Sequence, residues 1–123
     1  MKKNNNKIFA YRSSWTFAKN IAERFDYHIN KSIPLYKQYQ WLSLQISDYF
    51  IKQDSRVYDL GCSTGSFLKL LAKRHKRKKK VKFYGIDTVI NMTNFAKKNN
   101  NYENIKYLNK DICNFNLKKS DLI

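Results

Sequence analysis

The stretch VYDLGCSTGS, from Val57 to Ser66, decides how this chain folds. Its first part is a short run of β-branched, aromatic and aliphatic residues, which predicts a buried parallel strand. Gly61 and Gly65 then allow a sharp turn, and apolar residues between Phe67 and Leu71 follow at helical spacing. The pattern predicts a strand, a glycine turn and a helix, whose first N–H groups can bind acceptor oxygens of a nucleotide-like ligand.

The glycine spacing narrows the class of ligand. A dinucleotide fingerprint requires three glycines as G-x-G-x-x-G, and this chain has only Gly61-x-x-x-Gly65. A phosphate loop requires Lys followed by Ser or Thr after the second glycine, and that pair is absent. Nicotinamide and flavin cofactors are therefore disfavoured, and an ordinary turn without a ligand is the alternative.

Composition indicates one globular domain or less. The chain has 123 residues, of which 42% are hydrophobic and 15% aromatic, so a disordered tail is excluded. The 25 Lys and Arg residues against 9 Asp and Glu give a formal charge of +16, which predicts attraction to polyanions such as RNA. A genome biased toward Lys and Asn codons explains the same charge equally well.

Cysteine usage and the N-terminus predict a cytoplasmic protein. Cys62 and Cys113 have no metal-ligand spacing, so no metal site is expected, and Met1-Lys2-Lys3 is followed by asparagines, unlike a secretory signal. No apolar run approaches the length of about 18 residues needed to cross a bilayer, and we expect no membrane partner.

Two helices are expected before the central strand. Residues 1–14 form a basic N-terminal segment, and residues 15–123 form the domain. An apolar residue at every fourth position predicts the first helix; these residues are Phe17, Ile21, Phe25 and Ile29. Ser13 or Ser14 could cap it. Pro34 suits the first turn of the second helix. We expect the apolar faces of both helices to pack against something beyond the two helices themselves; the stripe of the second helix is Leu35, Tyr39, Leu42, Ile46 and Tyr49.

Two further strands end in acidic residues. Val81–Asp87 is expected to be the second strand, and a helix from about Ile90 separates it from a third strand ending near Asp111. Ligands of open α/β sheets bind beyond the carboxyl ends of the strands. Asp87 could therefore accept hydrogen bonds from the two ribose hydroxyls, and Asp111 one from the exocyclic amine of adenine. The backbone N–H of Ile112, beside Asp111, could donate to a ring nitrogen of the adenine. Capping of the following helix is the alternative role for Asp87.

The run Lys73–Lys80 is expected to be a solvated loop or a frayed helix end, because like charges repel. It contains no aromatic residues for stacking, so any contact with RNA would be to phosphate. His75 has no nearby carboxylate in sequence and is expected at the surface.

The segment DLGCSTG, residues 59–65, resembles motif I of the class I S-adenosylmethionine-dependent methyltransferases. Upstream residues resemble, more specifically, the carboxy-S-adenosylmethionine synthase family, over about residues 15–123. These are Trp15-Thr16-Phe17, Ile21-Ala22-Glu23, Phe25, Ile29, Ser32-Ile33-Pro34 and Tyr36. The resemblance implies an α/β, Rossmann-like methyltransferase fold, of which this chain would be the first half, with strands one to three and the start of a fourth at Ser120–Ile123.

The resemblance also implies chemistry and site residues. That family makes a carboxylated cofactor from S-adenosylmethionine and prephenate, for wobble-uridine modification in tRNA. Tyr36 matches the tyrosine that bonds the new carboxylate, and Gly61, Cys62 and Ser63 match the cofactor loop. Asp87 and Thr88 match the ribose-contacting pair, and Asp111 and Ile112 the adenine-contacting pair. No catalytic residue is identified.

The sequence is compatible with several alternatives. Because the sheet would stop at its fourth strand, we expect a truncated coding sequence, whose activity alone is open. A methyltransferase of a small molecule or RNA, and an inactive or basic RNA-associating fragment, are the competing hypotheses. The partners considered are prephenate as a small-molecule substrate, tRNA, and a second copy of the chain in a homodimer.

Overall fold

The computed structural model describes residues 10–11, 14–15 and 21–123. From Arg56 onward strands and helices alternate in an α/β arrangement. The elements are β1 (Ala10–Tyr11), β2 (Ser14–Trp15), α1 (Ala22–Ser32), α2 (Tyr36–Phe50), β3 (Arg56–Leu60), α3 (Ser66–Arg74), β4 (Lys82–Asp87), α4 (Ile90–Asn99), β5 (Ile105–Asn109) and a 3-10 helix (Ile112–Asn114).

A parallel sheet with the strand order β3-β4-β5 forms the centre of the domain. In its register Val57 lies beside Phe83, and Phe83 beside Ile105. The crossovers run through α3 and α4, and right-handed crossovers between successive neighbouring strands bring both helices to the same face. All three strands therefore end at one edge, where Asp87 is the last residue of β4 and Gly61 and Lys110 directly follow β3 and β5.

The core lies between this sheet face and the helices. Val57, Phe83 and Ile105 contribute from the strands, and Leu68 and Ala96 from α3 and α4. Burying such side chains stabilises the fold by roughly 1.5–3 kcal/mol each. The predicted strand at the start of VYDLGCSTGS and the helix after it are both present.

A fourth strand begins on the other side of β3. Leu122 forms a parallel bridge with Val57, and the N–H of Tyr58 donates to the carbonyl of Leu122 at 3.0 Å. The N–H of Asp121 donates to the carbonyl of Arg56 at 2.9 Å. The expected start of a strand at Ser120–Ile123 is thus reduced to this bridge.

The beginning of the first helix differs from expectation. α1 begins at Ala22, its N-cap Ile21 provides no side-chain hydrogen bond, and Ser14 lies in β2, paired with Tyr11. Ser14 therefore does not cap the helix. Phe17, Ser13 and the basic segment before Ala10 lie outside the described residues.

The apolar stripe of α2 is exposed rather than packed against another of the described elements. Leu35, Tyr39, Leu42, Ile46 and Tyr49 are all exposed. The helix instead packs through Leu44 and the fully buried Ser47, because Ser47 meets the end of α3. α2 also begins two residues after Pro34, with Leu35 in the left-handed region at φ 59°.

The expected surface position of His75 is wrong. Its exposed fraction is 2%, and its Nε2 lies 2.8 Å from the Ser47 hydroxyl, so the residue joins α3 to α2. Around it the other cations of the Lys73–Lys80 run are exposed or half-buried. None of the helices in the described ranges is long and apolar enough to cross a membrane.

Candidate functional site

The β3–α3 turn forms the centre of the candidate site. Its backbone is left-handed at Gly61 (φ 79°), Ser63 (φ 50°) and Gly65 (φ 73°). The N–H groups of Gly61 and Cys62 both donate to the carbonyl of Ile86, at 2.7 and 3.1 Å. A Cβ built on Gly61 would have no atom within 4 Å, so the main chain there is open to a ligand.

The far side of the turn is packed tightly. A Cβ on Gly65 would lie 2.5 Å from the Tyr107 hydroxyl, which donates to the carbonyl of Asn100 at 2.7 Å. The Asn100 amide in turn donates to the carbonyl of Thr64 at 2.6 Å. The turn is therefore fixed by residues of β5 and of the segment after α4, which keeps its open side in one shape.

A cavity of about 350 Å³ opens between this turn and the two N-terminal helices, and we call it the Tyr36 cavity. Its polar groups come from three elements: Asp26 from α1, Tyr36 and Gln40 from α2, and Asp59 from β3. The turn contributes Gly61, Cys62, Ser63 and Thr64. Apolar side chains such as Phe25 and Ile29 complete the wall.

The Tyr36 cavity is acidic in a strongly basic protein. Asp26 and Asp59 line it, and no Lys or Arg of the described ranges does. Burial, and next the charge of Asp87, raise the pKa of Asp59 to about 6. A cation would find a carboxylate there that is ionised at neutral pH and has no cation beside it.

Tyr36 is a hydrogen-bond donor at this position. Burial raises the pKa of its phenol, and the charges of Asp26 and Asp59 raise it further. Its oxygen accepts a 3.2 Å hydrogen bond from the Gln40 amide. The O–H therefore stays protonated at neutral pH and can donate to a ligand.

Asp26 ties α1 to the turn. Its Oδ1 accepts hydrogen bonds from the Thr64 hydroxyl at 2.7 Å and from the Ser66 hydroxyl at 3.4 Å. Both hydroxyls belong to the turn or to the first residue of α3. The contact sets the distance between α1 and the glycine turn, and hence the width of the Tyr36 cavity.

A second cavity, of about 230 Å³, lies on the other side of Gly61 and Ser63, and we call it the Asp87 cavity. Because those two residues line both cavities, the two spaces adjoin across the turn. The remaining wall comes from the ends of β4 and β5 and from α4. Those residues are Ile86, Asp87, Thr88, Val89, Met92, Lys110 and Ile112.

Asp87 is buried and already accepts two backbone hydrogen bonds. Its Oδ2 accepts from the N–H of Ser63 and its Oδ1 from the N–H of Val89, each at 2.8 Å. The second contact is an Asx turn to Val89, the N-cap residue of α4, and no side chain caps that helix, so the capping alternative for Asp87 is wrong. Each oxygen keeps a further lone pair, so ribose hydroxyls can still donate to it.

Asp111 stands apart from the other sequence-predicted residues. It is exposed, and its carboxylate accepts from the N–H of Cys113 at 2.9 Å, which caps the 3-10 helix. It does not line either cavity, whereas its neighbours Lys110 and Ile112 line the Asp87 cavity. The structure thus assembles seven of the eight predicted residues around the turn: Tyr36, Gly61, Cys62, Ser63, Asp87, Thr88 and Ile112.

Two carboxylates of the Tyr36 cavity were missed as site residues by the sequence analysis. Asp59 carried a usable signal, since it lies near the carboxyl end of a strand as Asp87 does. Asp26 carried none, because only the packing of α1 brings it to the turn. Among the described residues no cluster of three or more His, Cys, Asp or Glu could hold a metal ion.

Sequence comparison places this architecture among known proteins. A family model described as "Methyltransferase domain" matches residues 51–123. The carboxy-S-adenosyl-L-methionine synthase of Staphylococcus epidermidis is 33% identical over 110 residues, which cover 89% of this chain and 47% of that protein. The synthase of Campylobacter hominis is 34% identical over 112 residues, with coverage of 89% and 47%. The chain spans about half the length of these curated relatives.

Comparison with solved structures gives the same fold. A SAM-dependent methyltransferase from Aquifex aeolicus matches 78% of this chain and 48% of its own, at 21% identity and a TM-score of 0.55. At that identity the likeness concerns the fold alone. The predicted α/β, Rossmann-like methyltransferase fold is confirmed.

Proposed function

Because this chain belongs to the methyltransferase domain family, we propose that it binds S-adenosylmethionine across the β3–α3 turn. The observation that carries the proposal is the acidic Tyr36 cavity in a chain of net charge +16. S-adenosylmethionine has a sulfonium and an ammonium group, and Asp59 and Asp26 offer them negative charge without a competing lysine. When bound, the molecule supplies a methyl group made reactive by the sulfonium.

The adenosine would occupy the Asp87 cavity. Asp87 and Thr88 would hold the ribose, with Asp87 accepting its hydroxyl protons through the lone pairs that the backbone leaves free. Ile112 lines the same cavity and would meet the adenine ring. Asp111 lines neither cavity and caps the 3-10 helix, so its predicted bond to the exocyclic amine forms no part of this proposal. Gly61, Cys62 and Ser63 would lie along the link between the two halves of the ligand.

The finer proposal is that the protein acts as a carboxy-S-adenosylmethionine synthase, with prephenate as the second substrate. The carboxylated product would then be used in tRNA modification. The names of the relatives and the position of Tyr36 support it. The Tyr36 hydroxyl is protonated and lines the acidic cavity, where it could donate to the carboxylate of a carboxylated methyl group.

Isothermal titration calorimetry with S-adenosylmethionine tests the cofactor proposal. We expect one molecule bound per chain, with affinity weakened at least tenfold by Asp59→Asn, because an ion pair with the ligand is lost. Asp54→Asn removes an exposed carboxylate far from the turn and is the matched control. Absence of binding heat from a chain that circular dichroism shows to be folded would contradict the proposal and favour an inactive fragment.

Tyr36→Phe tests the finer proposal. Loss of a hydrogen bond to a charged group costs about 1.5–3 kcal/mol, so affinity for the carboxylated cofactor should fall about tenfold or more, with little change for S-adenosylmethionine. Tyr49→Phe, on the exposed side of the same helix, is the control. Equal losses for both ligands would show that Tyr36 does not read the carboxylate.

A methyltransferase of a small molecule or RNA is the second candidate. One observation favours it: no Lys or Arg of the described ranges lines the Tyr36 cavity, so a carboxylated methyl group would lack a charged partner there. Incubation with radiolabelled S-adenosylmethionine and bulk tRNA separates the two. Transfer of label to the tRNA would support this candidate over the synthase.

A further inference from the structure

A groove lies at the opposite end of the sheet, where the strands begin. It has a volume of about 830 Å³, and we call it the basic groove. Its cations come from four places: Arg56 on β3, Lys82 on β4, Lys106 on β5, and Lys76 and Lys78–Lys80 after α3. Asp54 and Glu103 are the acidic residues of its wall.

Most of these positive charges are not neutralised within the protein. The ammonium of Lys80 lies 3.9 Å from Asp54, with both side chains mostly exposed, so that pair contributes little. Lys78 donates to the carbonyl of Ile51, and Arg56 to that of Lys119 at 2.8 Å. In the part of the chain that the structure describes, no carboxylate lies within 4.0 Å of Lys76, Lys79, Lys82 or Lys106.

Folding also brings aromatic side chains to these lysines. The Lys73–Lys80 run has no aromatic residue of its own, but Tyr84 and Tyr102 line the same groove. In the sheet register Tyr84 lies beside Lys106, and its ring stacks on Tyr58 with centroids 5.1 Å apart. Tyr102 is 37% exposed and has no ring partner among the described residues.

We propose that the basic groove binds a single strand of RNA, with phosphates at Lys82 and Lys106 and a base stacked on Tyr102. Single-stranded nucleic acid is held by a positively charged channel together with aromatic rings, and this groove has both. A concave site suits a chain of phosphates better than a flat anionic membrane, which is bound by projecting basic or apolar faces.

This site is separate from the proposed cofactor site. Lys82 begins β4 and Asp87 ends it, so at about 3.3 Å per residue the two sites lie about 16 Å apart. The residues of the basic groove line neither the Tyr36 cavity nor the Asp87 cavity. RNA binding and cofactor binding can therefore be tested and can fail independently.

Fluorescence anisotropy with a labelled single-stranded oligouridylate tests the proposal. The double variant Lys82→Gln, Lys106→Gln is compared with Lys97→Gln, Lys98→Gln, two exposed lysines of α4 outside the groove, because both lower the net charge equally. We expect the groove variant to bind about tenfold more weakly at about 0.1 M salt, with the slope of log affinity against log salt reduced by about 1.4. The control should change affinity less than twofold.

Tyr102→Ala supplies a second test on the same probe. Loss of one stacked base weakens binding about tenfold or more, and this loss should persist at high salt because stacking is not a charge effect. Equal weakening by the groove and control lysine variants would overturn the proposal, since binding would then follow net charge alone. So would failure of the folded wild-type chain to bind RNA, or loss of binding to phosphatidylglycerol vesicles in the groove variant without loss of RNA binding.

Discussion

Asp59 is the residue at which stability and proposed binding oppose each other. Its half-buried carboxylate has a pKa raised to about 6 by burial and by the charge of Asp87. An isolated carboxylate that must be ionised in such surroundings lowers the free energy of unfolding. The same unpaired charge is what a sulfonium or ammonium group would find attractive.

Asp59→Asn should stabilise the free protein in a pH-dependent way. The folded-state pKa of about 6 exceeds the unfolded value of about 3.9, so wild-type stability falls as the pH rises between these values and is lowest above them. We expect the variant to gain up to about 3 kcal/mol at pH above 6 and little near pH 4. Urea unfolding at both pH values measures this, and an equal gain at both would be inconsistent with a raised pKa.

The two glycines of the turn should respond differently to alanine. Gly65→Ala adds a methyl group 2.5 Å from the Tyr107 hydroxyl in a left-handed position, so we expect a loss of about 3 kcal/mol in the free energy of unfolding. Gly61→Ala meets no atom within 4 Å, so only the backbone cost of about 1–2 kcal/mol applies.

For affinity for S-adenosylmethionine we expect the opposite order, with Gly61→Ala weakening binding more than Gly65→Ala. Gly61 lines both cavities of the proposed cofactor site, so its added methyl group would occupy ligand space. Denaturant unfolding and calorimetry on each variant separate the two effects. Normal affinity in Gly61→Ala would mean that the ligand does not approach the main chain there.

At the scale of elements, the joint between α2 and α3 depends on a buried histidine. Burial lowers the pKa of His75, and the charge of Lys78 lowers it further, while Asp48 acts in the opposite direction. The neutral imidazole of His75 forms a hydrogen bond with the Ser47 hydroxyl. Protonation of His75 therefore works against the packing of the two helices.

His75→Gln should reduce the loss of stability in acid. Because the folded-state pKa lies below the usual 6.5, the unfolded chain takes up the proton first, and stability contributed by neutral His75 is complete above pH 6.5 and lost as the pH falls below it. Glutamine can keep a bond to Ser47 without titrating. We expect the difference in urea midpoint between variant and wild type to favour the variant more at pH 5.5 than at pH 7.5.

His28→Gln provides the control, because that histidine is only half-buried on α1. Each variant is compared with wild type at the same pH. This comparison also cancels the contribution of Asp59 to the pH dependence of stability, which has the opposite sign and falls in the same pH range. The same pH dependence in wild type and His75→Gln would contradict the assigned role of His75.

Elements with a local sequence signal could be predicted, and contacts between distant elements could not. β3, the glycine turn, α3 and β4 were predictable because strand and helix periodicities and the glycines lie within VYDLGCSTGS and the residues after it. The face that α2 turns to the domain was not predictable, since its apolar stripe is exposed while the polar Ser47 is the residue that is buried. The burial of His75 was not predictable either, because its hydrogen-bond partner, Ser47, lies 28 residues away in the sequence.

The residues of the candidate site also differ in whether a local sequence signal could predict them. Gly61, Ser63, Asp87 and Thr88 lie at or just after strand ends, and a parallel sheet brings such residues to one edge whatever the helices do. Asp26 reaches the turn only through the packing of α1, and no local pattern foretells it. Asp111 caps its own 3-10 helix, a local use of aspartate that competes with ligand binding.

At the scale of the whole molecule, a net charge of +16 on 123 residues destabilises the compact state through self-repulsion. Added salt screens that repulsion, with a screening length of about 10 Å at 0.1 M. We therefore expect the urea midpoint to rise as sodium chloride is increased. The Lys82→Gln, Lys106→Gln variant should show a smaller rise, and a midpoint that falls or stays constant in wild type would contradict this account of the charge.

Amide chemical-shift mapping with S-adenosylmethionine tests the central claim most directly, because it reports where a ligand binds. We predict shifts at Gly61, Ser63, Thr88 and Ile112, around the β3–α3 turn, and none at Lys82 or Lys106 at the other end of the sheet. An unchanged spectrum at saturating ligand, or shifts confined to residues away from the turn, would contradict the claim that this turn is an S-adenosylmethionine site.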